Sequence, residues 1–378
     1  MVTANPFFEG LNPAGQVGVA SLVPWLSDLD AGDDQSARLL AREIAQRLGE
    51  AGVTGAATAQ NSLRACCLIR QELAYYSPLA DAVFALQALG SRPILLAGST
   101  KQQGQWIPGV TSGRAIAAFA MTEPEAGSDV SSLQTKADKD GDSYVLNGSK
   151  TFISNAGIAD FYTTFVRSGE RTDGRAEITC LVVAANTPGC AFVEAQELAE
   201  PHPLGTIEFD NCRVPVANQI GGEGEGYGIG MQTLDLLRPT VAAAACGMAA
   251  RALDEATAHA RSRRQFGQRL GQFQLIQAKL ADMATELEAA RLLVYRAAWF
   301  ADTHEPDTLA SSQAKLFATE AAQRIVDQAV QILGGRGVVL GNPVERLYRA
   351  VRALRIYEGS SEVQKLVIAR KVLDQEQR

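Results

Sequence analysis

Arg355-Ile-Tyr-Glu-Gly-Ser-Ser-Glu-Val-Gln364 is the stretch on which the reading of this chain turns. Glu358 is a lone carboxylate between an Ile-Tyr pair and a Gly-Ser step. Ser360 suits the N-cap of a helix, and Glu362 its first turn, where an acid complements the helix dipole. Gly359 removes side-chain bulk, so another molecule can approach the backbone beside the carboxylate. Taken alone, Glu358 is a residue in a tight turn ahead of a helix. Its company in the rest of the chain changes that reading.

The segments around it are helical from Met231 onward. Ile276, Leu280, Met283, Leu287, Ala290, Val294 and Ala297 recur at steps of four and three, a seam for side-by-side helices. The run from Gln272 to Ala301 predicts a helix about 45 Å long. His304, Pro306 and Asp307 break it. A further helix runs to Leu333 before Gly334-Gly335, and Pro343 opens a shorter one that ends near Leu354. Residues 221–230 hold six glycines but lack the Lys-Ser/Thr ending of a phosphate loop, and so read as a hinge.

Upstream of the hinge, from about Ala115, short β-type runs alternate with turn residues. Asn147-Gly148 after Tyr144-Val-Leu reads as a hairpin, and Asp140-Gly141 as another turn. Phe161–Val166, Ile178–Val183 and Thr206–Phe209 are strand candidates. No long helix separates them, which favours an antiparallel sheet or small barrel. Residues 31–113 read as helices. One carries Leu39, Leu40, Ile44 and Leu48 as its apolar face and is closed by Gly49 and Gly52. Others cover Leu63–Tyr76 and Leu79–Leu89; the latter stops at Gly90, and Pro93 starts the next. The expected organisation is α+β: an N-terminal helical domain over 1–115, a middle antiparallel β-domain over 116–225, and a C-terminal four-helix-bundle-like domain over 226–378.

A chain of 378 residues supports two or three packed units. A hydrophobic content of 46% against 20% charged describes a globular protein with a sizeable core. A net charge of -7 without a basic block argues against nucleic acid or an anionic membrane as the main partner. No charged n-region followed by a long apolar run opens the sequence, and no uninterrupted apolar span is long enough for a bilayer, so the expected location is cytoplasmic. Cys66, Cys67, Cys180, Cys190, Cys212 and Cys246 match no zinc or C-x-x-C pattern and read as buried reduced thiols. The three histidines are too scattered for a metal site or a histidine-based triad.

Five further segments carry chemistry. In Phe119-Ala-Met-Thr-Glu-Pro-Glu-Ala-Gly-Ser-Asp129, Pro124 and Gly127 make a turn that offers backbone N–H groups and the Thr122 and Ser128 hydroxyls to a polar ring. Lys150-Thr-Phe-Ile-Ser-Asn-Ala156 presents an aromatic and a hydroxyl. Arg263-Arg-Gln-Phe-Gly267, with Phe273-Gln274, supplies a guanidinium fork suited to phosphate. In Gln331-Ile-Leu-Gly-Gly335 two glycines permit close backbone approach. Asp235-Leu-Leu-Arg-Pro239 puts an acid and a base near the start of a long helix.

In this order and spacing the segments resemble those of the acyl-CoA dehydrogenase family of flavoproteins, from about Leu89 to the end and more loosely before it. The resemblance implies Glu358 as the catalytic base. It implies FAD contacts from Phe119, Met121, Thr122, Gly127, Ser128, Phe152 and Ser154, with Ser360 and Glu362 following the base. Phe152 stands where the family usually has Trp against the flavin, and Ser154 where a Thr hydroxyl reaches the reactive flavin nitrogen. Arg263, Gln265, Phe266, Gln274, Gln331, Gly334 and Gly335 would reach the FAD of a neighbouring subunit, which implies at least a dimer and favours a homotetramer. Ser128, Asp235, Arg238 and Gly359 fall on the substrate side, with Asp235 at the pantetheine arm and Arg238 near the base. Some members carry their catalytic Glu just before this Arg; here Leu237 stands there. Ala350 and Arg336 depart from the family pattern, which bears on subunit contacts. By the same resemblance Asp81, Phe84 and Ala85 floor the acyl pocket, where Ala85 leaves room and Asp81 favours a polar tail.

The chemistry fits. Removing two hydrogens across Cα–Cβ of an acyl thioester needs a base of raised pKa, a redox cofactor and donors for the thioester oxygen. The expected activity is FAD-dependent α,β-dehydrogenation of an acyl-CoA, with electrons passed to a separate acceptor such as an electron-transfer flavoprotein. An acyl-carrier-protein thioester is the alternative substrate. A flavin-binding scaffold without turnover is the alternative outside enzymology, and an intact Glu358 argues against it.

Overall fold

The structure is a computed structural model that describes residues 7, 14–29, 31–58, 62–172, 174–304 and 306–375. The chain opens with helices α1 (Ala14–Ser27), α2 (Asp34–Glu50), α3 (Val53–Thr58), α4 (Leu63–Tyr76), α5 (Pro78–Ala97) and α6 (Thr100–Thr111). Their starts follow from side chains that accept orphan N–H groups. Asp33 caps α2, Ser62 caps α4 and Ser77 caps α5, while Ser99 and Gln102 form a capping box on α6.

Two expectations fail in this part. Helix α5 does not stop at Gly90 but runs through it and through Pro93. Gly90 serves close approach instead: a Cβ there would lie 2.7 Å from the Ala117 Cβ of the sheet. Leu39 is 72% exposed, because α2 buries Ala37, Ala41, Ile44, Ala45 and Leu48. Helix α5 is also long and apolar enough to cross a membrane, but it is a core helix, with 72% of its apolar window buried.

The middle of the chain forms strands β1 (Ala117–Ala120), β2 (Lys136–Asp140), β3 (Ser143–Ser154), β4 (Phe161–Glu170), β5 (Ala176–Ala184), β6 (Cys190–Ala195), β7 (Leu204–Pro215) and β8 (Gln219–Ile220). They build one sheet in the order β6-β7-β3-β2-β4-β5-β8, with β1 parallel to β4. The Asp140-Gly141 turn is present, joining β2 to β3. Asn147-Gly148 is not a hairpin: β3 continues through it, with a bulge against β7. Gly148 sits at φ 142° against Thr135, so the glycine meets a bulge rather than a turn.

The glycine run bends at 221–225, and α7 (Gly226–Ser262) begins inside it. A small hairpin, β9 (Arg264–Gln265) and β10 (Gln268–Arg269), leads into α8 (Gln274–Thr303), α9 (Thr308–Leu333), α10 (Pro343–Leu354) and α11 (Ser361–Gln375). Met283, Leu287, Ala290, Val294 and Ala297 of α8 are buried, and Ile276 and Leu280 pack on the same core. One large core joins both helical parts to one sheet face, and a smaller one lies under α5 and α6 around Phe161, Phe165 and Ile229. The cysteines are free, and five of the six are buried.

Candidate active site

The Glu358 turn is built by its neighbours. After α10 the Ala353 carbonyl accepts from the N–H groups of Ile356 and Tyr357, and Ser360 Oγ accepts from Val363 N–H at 3.3 Å to start α11. Glu358 and Gly359 both have positive φ, 51° and 92°. A non-glycine residue in that region carries about 1–3 kcal/mol of strain and persists only where its surroundings enforce it. Helix α9 does so. Lys315 Nζ donates to the Gly359 carbonyl at 2.6 Å, and Glu320 binds both Arg355 Nε at 2.8 Å and Ser361 Oγ at 2.6 Å. The φ of 92° at Gly359 favours glycine, and a Cβ there would also require the Gln364 amide, 2.2 Å away, to move.

Glu358 is half-buried, yet its Oε2 is shut from water with no partner among the described residues. Burial raises its pKa above the ordinary glutamate range. The cations Arg70, Lys315 and Arg238 oppose that rise without cancelling it. Arg70 is fully engaged: Nε and Nη2 each donate to Asp81 at 2.8 Å, and Nη1 donates to Thr240 Oγ1 at 2.9 Å. Asp81 is therefore not a bare acid awaiting a polar tail, which corrects that expectation. Arg238 is ion-paired with Asp235, whose other oxygen accepts from Thr308 Oγ1 at 3.0 Å.

A second constellation forms on the sheet. Thr151 N–H donates to the Thr122 carbonyl at 3.0 Å, which sets the 119–129 and 150–156 segments side by side. Lys150, fully buried, staples them. Its Nζ binds Glu123 at 2.7 Å, the Met121 carbonyl at 3.2 Å and the Phe165 carbonyl at 2.5 Å. Glu123 in turn accepts from Thr135 N–H at 2.9 Å. Phe152, in the β3 bulge at φ 54°, is 61% exposed. Ser154 Oγ lies 2.7 Å from His202 Nε2. Half-buried Phe119 packs on Phe165, and Met121 is buried against Gly230, so both side chains contribute to the core. Glu362 is exposed, and Ser360 Oγ is committed to its helix cap.

The two constellations are joined from behind. Arg346 and Arg349 of α10, the helix that leads into Glu358, bind Glu200 at 3.3 and 2.7 Å in the loop behind Phe152 and Ser154. The third set stands apart. Arg263 and Gln265, with Phe266 at 93% exposure, share one end of the bundle with Gln331, Gly334 and Gly335, and Gln274 is also exposed. Arg263 and Arg336 both act on His259, which places the two segments together. At 1.5 Å per residue, Arg263 lies about 37 Å along α7 from Arg238.

Sequence reasoning missed Arg70, Glu123, Lys150, Gln196, His202 and Lys315 as parts of these sites. Glu123 and Lys150 lie inside the segments quoted above, and Arg70 stands out as a lone cation after the apolar run Cys66-Cys67-Leu68-Ile69; Gln196, His202 and Lys315 lie outside every segment singled out.

Family comparisons fall on the whole of this framework. The family models described as acyl-CoA dehydrogenase N-terminal, middle and C-terminal domains match residues 20–114, 118–212 and 224–373. The cyclohexane-1-carbonyl-CoA dehydrogenase of Geobacter metallireducens is 37% identical over 84% of this chain and 83% of its own length. The chain belongs to the acyl-CoA dehydrogenase family. Among solved structures, the butyryl-CoA dehydrogenase of Megasphaera elsdenii superposes with a TM-score of 0.89 at 33% identity, covering 96% of this chain and 99% of that one. The prolyl acyl carrier protein oxidase AnaB superposes with a TM-score of 0.88 at 29% identity, over 96% and 100%.

Family members bind FAD, and their reaction is oxidation at a CH–CH bond. This chain's residues fit that cofactor. An exposed aromatic in a strained bulge, a hydroxyl beside it and an exposed arginine near two exposed glycines suit a flavin ring and its pyrophosphate.

Proposed function

We propose that the protein dehydrogenates an acyl-CoA across Cα–Cβ, with Glu358 as the base that takes the α-proton. The observation that carries this reading is the Glu358 carboxyl itself: held on an enforced turn, desolvated, and with a buried oxygen that has no partner. A carboxylate so placed gains affinity for a proton, as proton abstraction from a weak carbon acid demands. Lys315 holds the Gly359 carbonyl and so supports the turn that carries the Glu358 N–H, the backbone donor in this reading for the charge that builds on the thioester oxygen. Arg238 and Asp235 lie on the substrate side, and Leu237 offers no second base. FAD, when bound, supplies the two-electron acceptor for the β-hydrogen, and a separate carrier such as an electron-transfer flavoprotein would receive the electrons.

The cofactor site is shared between subunits in this reading. Arg263 lies about 37 Å along one helix from Arg238, which sits beside the proposed base, and that separation supports a site to which one chain contributes only one of the two ends. In this reading a second copy supplies the Arg263 and Gln331 segments, in a dimer or homotetramer. The likeness to the carrier-protein oxidase favours a second reading of the substrate, an acyl-carrier-protein thioester, with the same chemistry.

One experiment tests both. The purified protein is expected to be yellow, with about one FAD per chain as this shared site implies, and to bleach anaerobically with a short acyl thioester. Acyl-CoA and the matching acyl-carrier-protein thioester are titrated in parallel, and the faster one names the carrier. Protein that stays colourless after reconstitution with FAD, or yellow protein that no thioester bleaches, ends the proposal.

A further inference from the structure

Residues 196–203, between β6 and β7, form a bracket behind the residues assigned to the flavin face. Gln196 Oε1 accepts from Phe152 N–H at 3.0 Å, and its Nε2 donates to Thr151 Oγ1 at 2.6 Å and Thr206 Oγ1 at 2.9 Å. The Pro203 carbonyl accepts from Asn155 N–H at 2.8 Å. His202 Nε2 lies 2.7 Å from Ser154 Oγ. The bracket is itself clamped. Arg346 and Arg349 hold Glu200, and Arg38 donates to the Leu204 and Ala156 carbonyls, each at 2.6 Å.

His202 is the one member whose chemistry this positioning leaves unexplained. Its Nδ1 is buried with no partner among the described residues. Burial, and then the Arg38 cation, push its pKa down to about 4, with Asp34 opposing, so the ring is neutral near pH 7. A neutral imidazole has one N–H and one bare nitrogen, and the hydrogen bond made at one nitrogen selects the tautomer.

We propose that His202 is a positioning residue that donates from Nε2–H to Ser154 Oγ and thereby turns the Ser154 hydroxyl hydrogen outward, towards the flavin. The inference rests on the reading that FAD lies against Phe152 and Ser154. An oxidised flavin presents its reactive nitrogen as an acceptor, so a serine whose oxygen already accepts from His202 meets it as a donor. Held this way, the hydroxyl loses little orientational freedom when the cofactor arrives.

The test compares FAD-loaded wild type with Ser154→Ala, His202→Gln, His202→Asn and the Ser154→Ala/His202→Asn double variant. A glutamine amide reaches the Nε2 position and an asparagine amide only the Nδ1 position. The readouts are the midpoint potential of the bound flavin against a reference dye and the rate of flavin reduction by acyl thioester. His202→Asn is expected to move the potential in the same direction as Ser154→Ala and to slow reduction roughly three- to tenfold, the span of one net hydrogen bond. His202→Gln should stay near wild type. In the Ser154→Ala background His202→Asn should add nothing, because its route is already cut.

A full-sized His202→Asn effect in that background overturns the proposal, and so does an unchanged potential in the single variant. If His202→Asn does not retain FAD, His202→Gln decides: a potential moved as far as that of Ser154→Ala overturns it equally. Colourless wild type would overturn the parent reading as well. Yellow, thioester-bleached wild type with any of these results overturns the role of His202 alone.

Discussion

Lys150 and Lys315 are both fully buried, and burial pulls both down to a pKa of about 8. They differ in counter-charge. Lys150 is ion-paired with Glu123 and also holds two carbonyls, so its charge is satisfied within the staple it makes. Lys315 holds the Gly359 carbonyl and forms no ion pair among the described residues, and the charge that acts on it most is that of Glu358. One lysine joins two segments and stops there. The other supports a turn and leaves its charge on the group that turn displays.

Lys150→Met should show the largest effect. It strands Glu123 without its cation, and breaking a buried pair in this way costs about 3–5 kcal/mol. Unfolding by urea should register the loss, and FAD retention should fall with it because the 119–129 segment is no longer fixed. A variant as stable as wild type would mean that Lys150 is not a staple.

Lys315→Met should act differently. The Gly359 carbonyl loses a charged donor, worth about 1.5–3 kcal/mol, while the flavin segments are untouched and FAD stays bound. The sign of its pH effect follows from Glu358. In the proposed mechanism the base acts as carboxylate, so flavin reduction should rise with pH through the raised pKa of Glu358. Removing a cation favours the protonated form further, so the acid limb should move to higher pH. A limb that stays in place would erase the difference between the two lysines.

The smallest effect is expected at Arg263, an exposed cation at the far end of α7. Arg263→Ala should loosen FAD only two- to tenfold, about the span of one net hydrogen bond, without shifting the acid limb. Equilibrium dialysis of the flavin measures this. A monomeric wild type that holds FAD as tightly as an oligomer would contradict the shared site.

What the sequence disclosed and what it hid follow one physical line. The Glu358 turn was legible because cap, glycine and carboxylate are contiguous and act within one turn of chain. Phe152 and Ser154 also lie within one short segment, and their proposed roles came from the resemblance of that segment to the family's. The supports of these residues were not legible: Lys315 meets Gly359 across 44 residues, Gln196 meets Thr151 across 45, and His202 meets Ser154 across 48. No local pattern encodes such pairings. Two local signals also misled. Asn147-Gly148 serves a bulge as readily as a hairpin, and Gly90 was chosen for contact with Ala117 rather than to end a helix. Leu39 followed the helical period, but tertiary packing selected the alanine face beside it.

Glu358→Gln tests the central claim most directly. Glutamine keeps the volume and hydrogen-bonding capacity of the side chain and removes only the basic carboxylate. Stopped-flow reduction of the FAD-loaded variant by a thioester that bleaches wild type should be slower by roughly 10²–10⁴-fold, with FAD content near wild type. Flavin reduction at close to the wild-type rate would contradict the assignment of Glu358 as the base, and with it the mechanism.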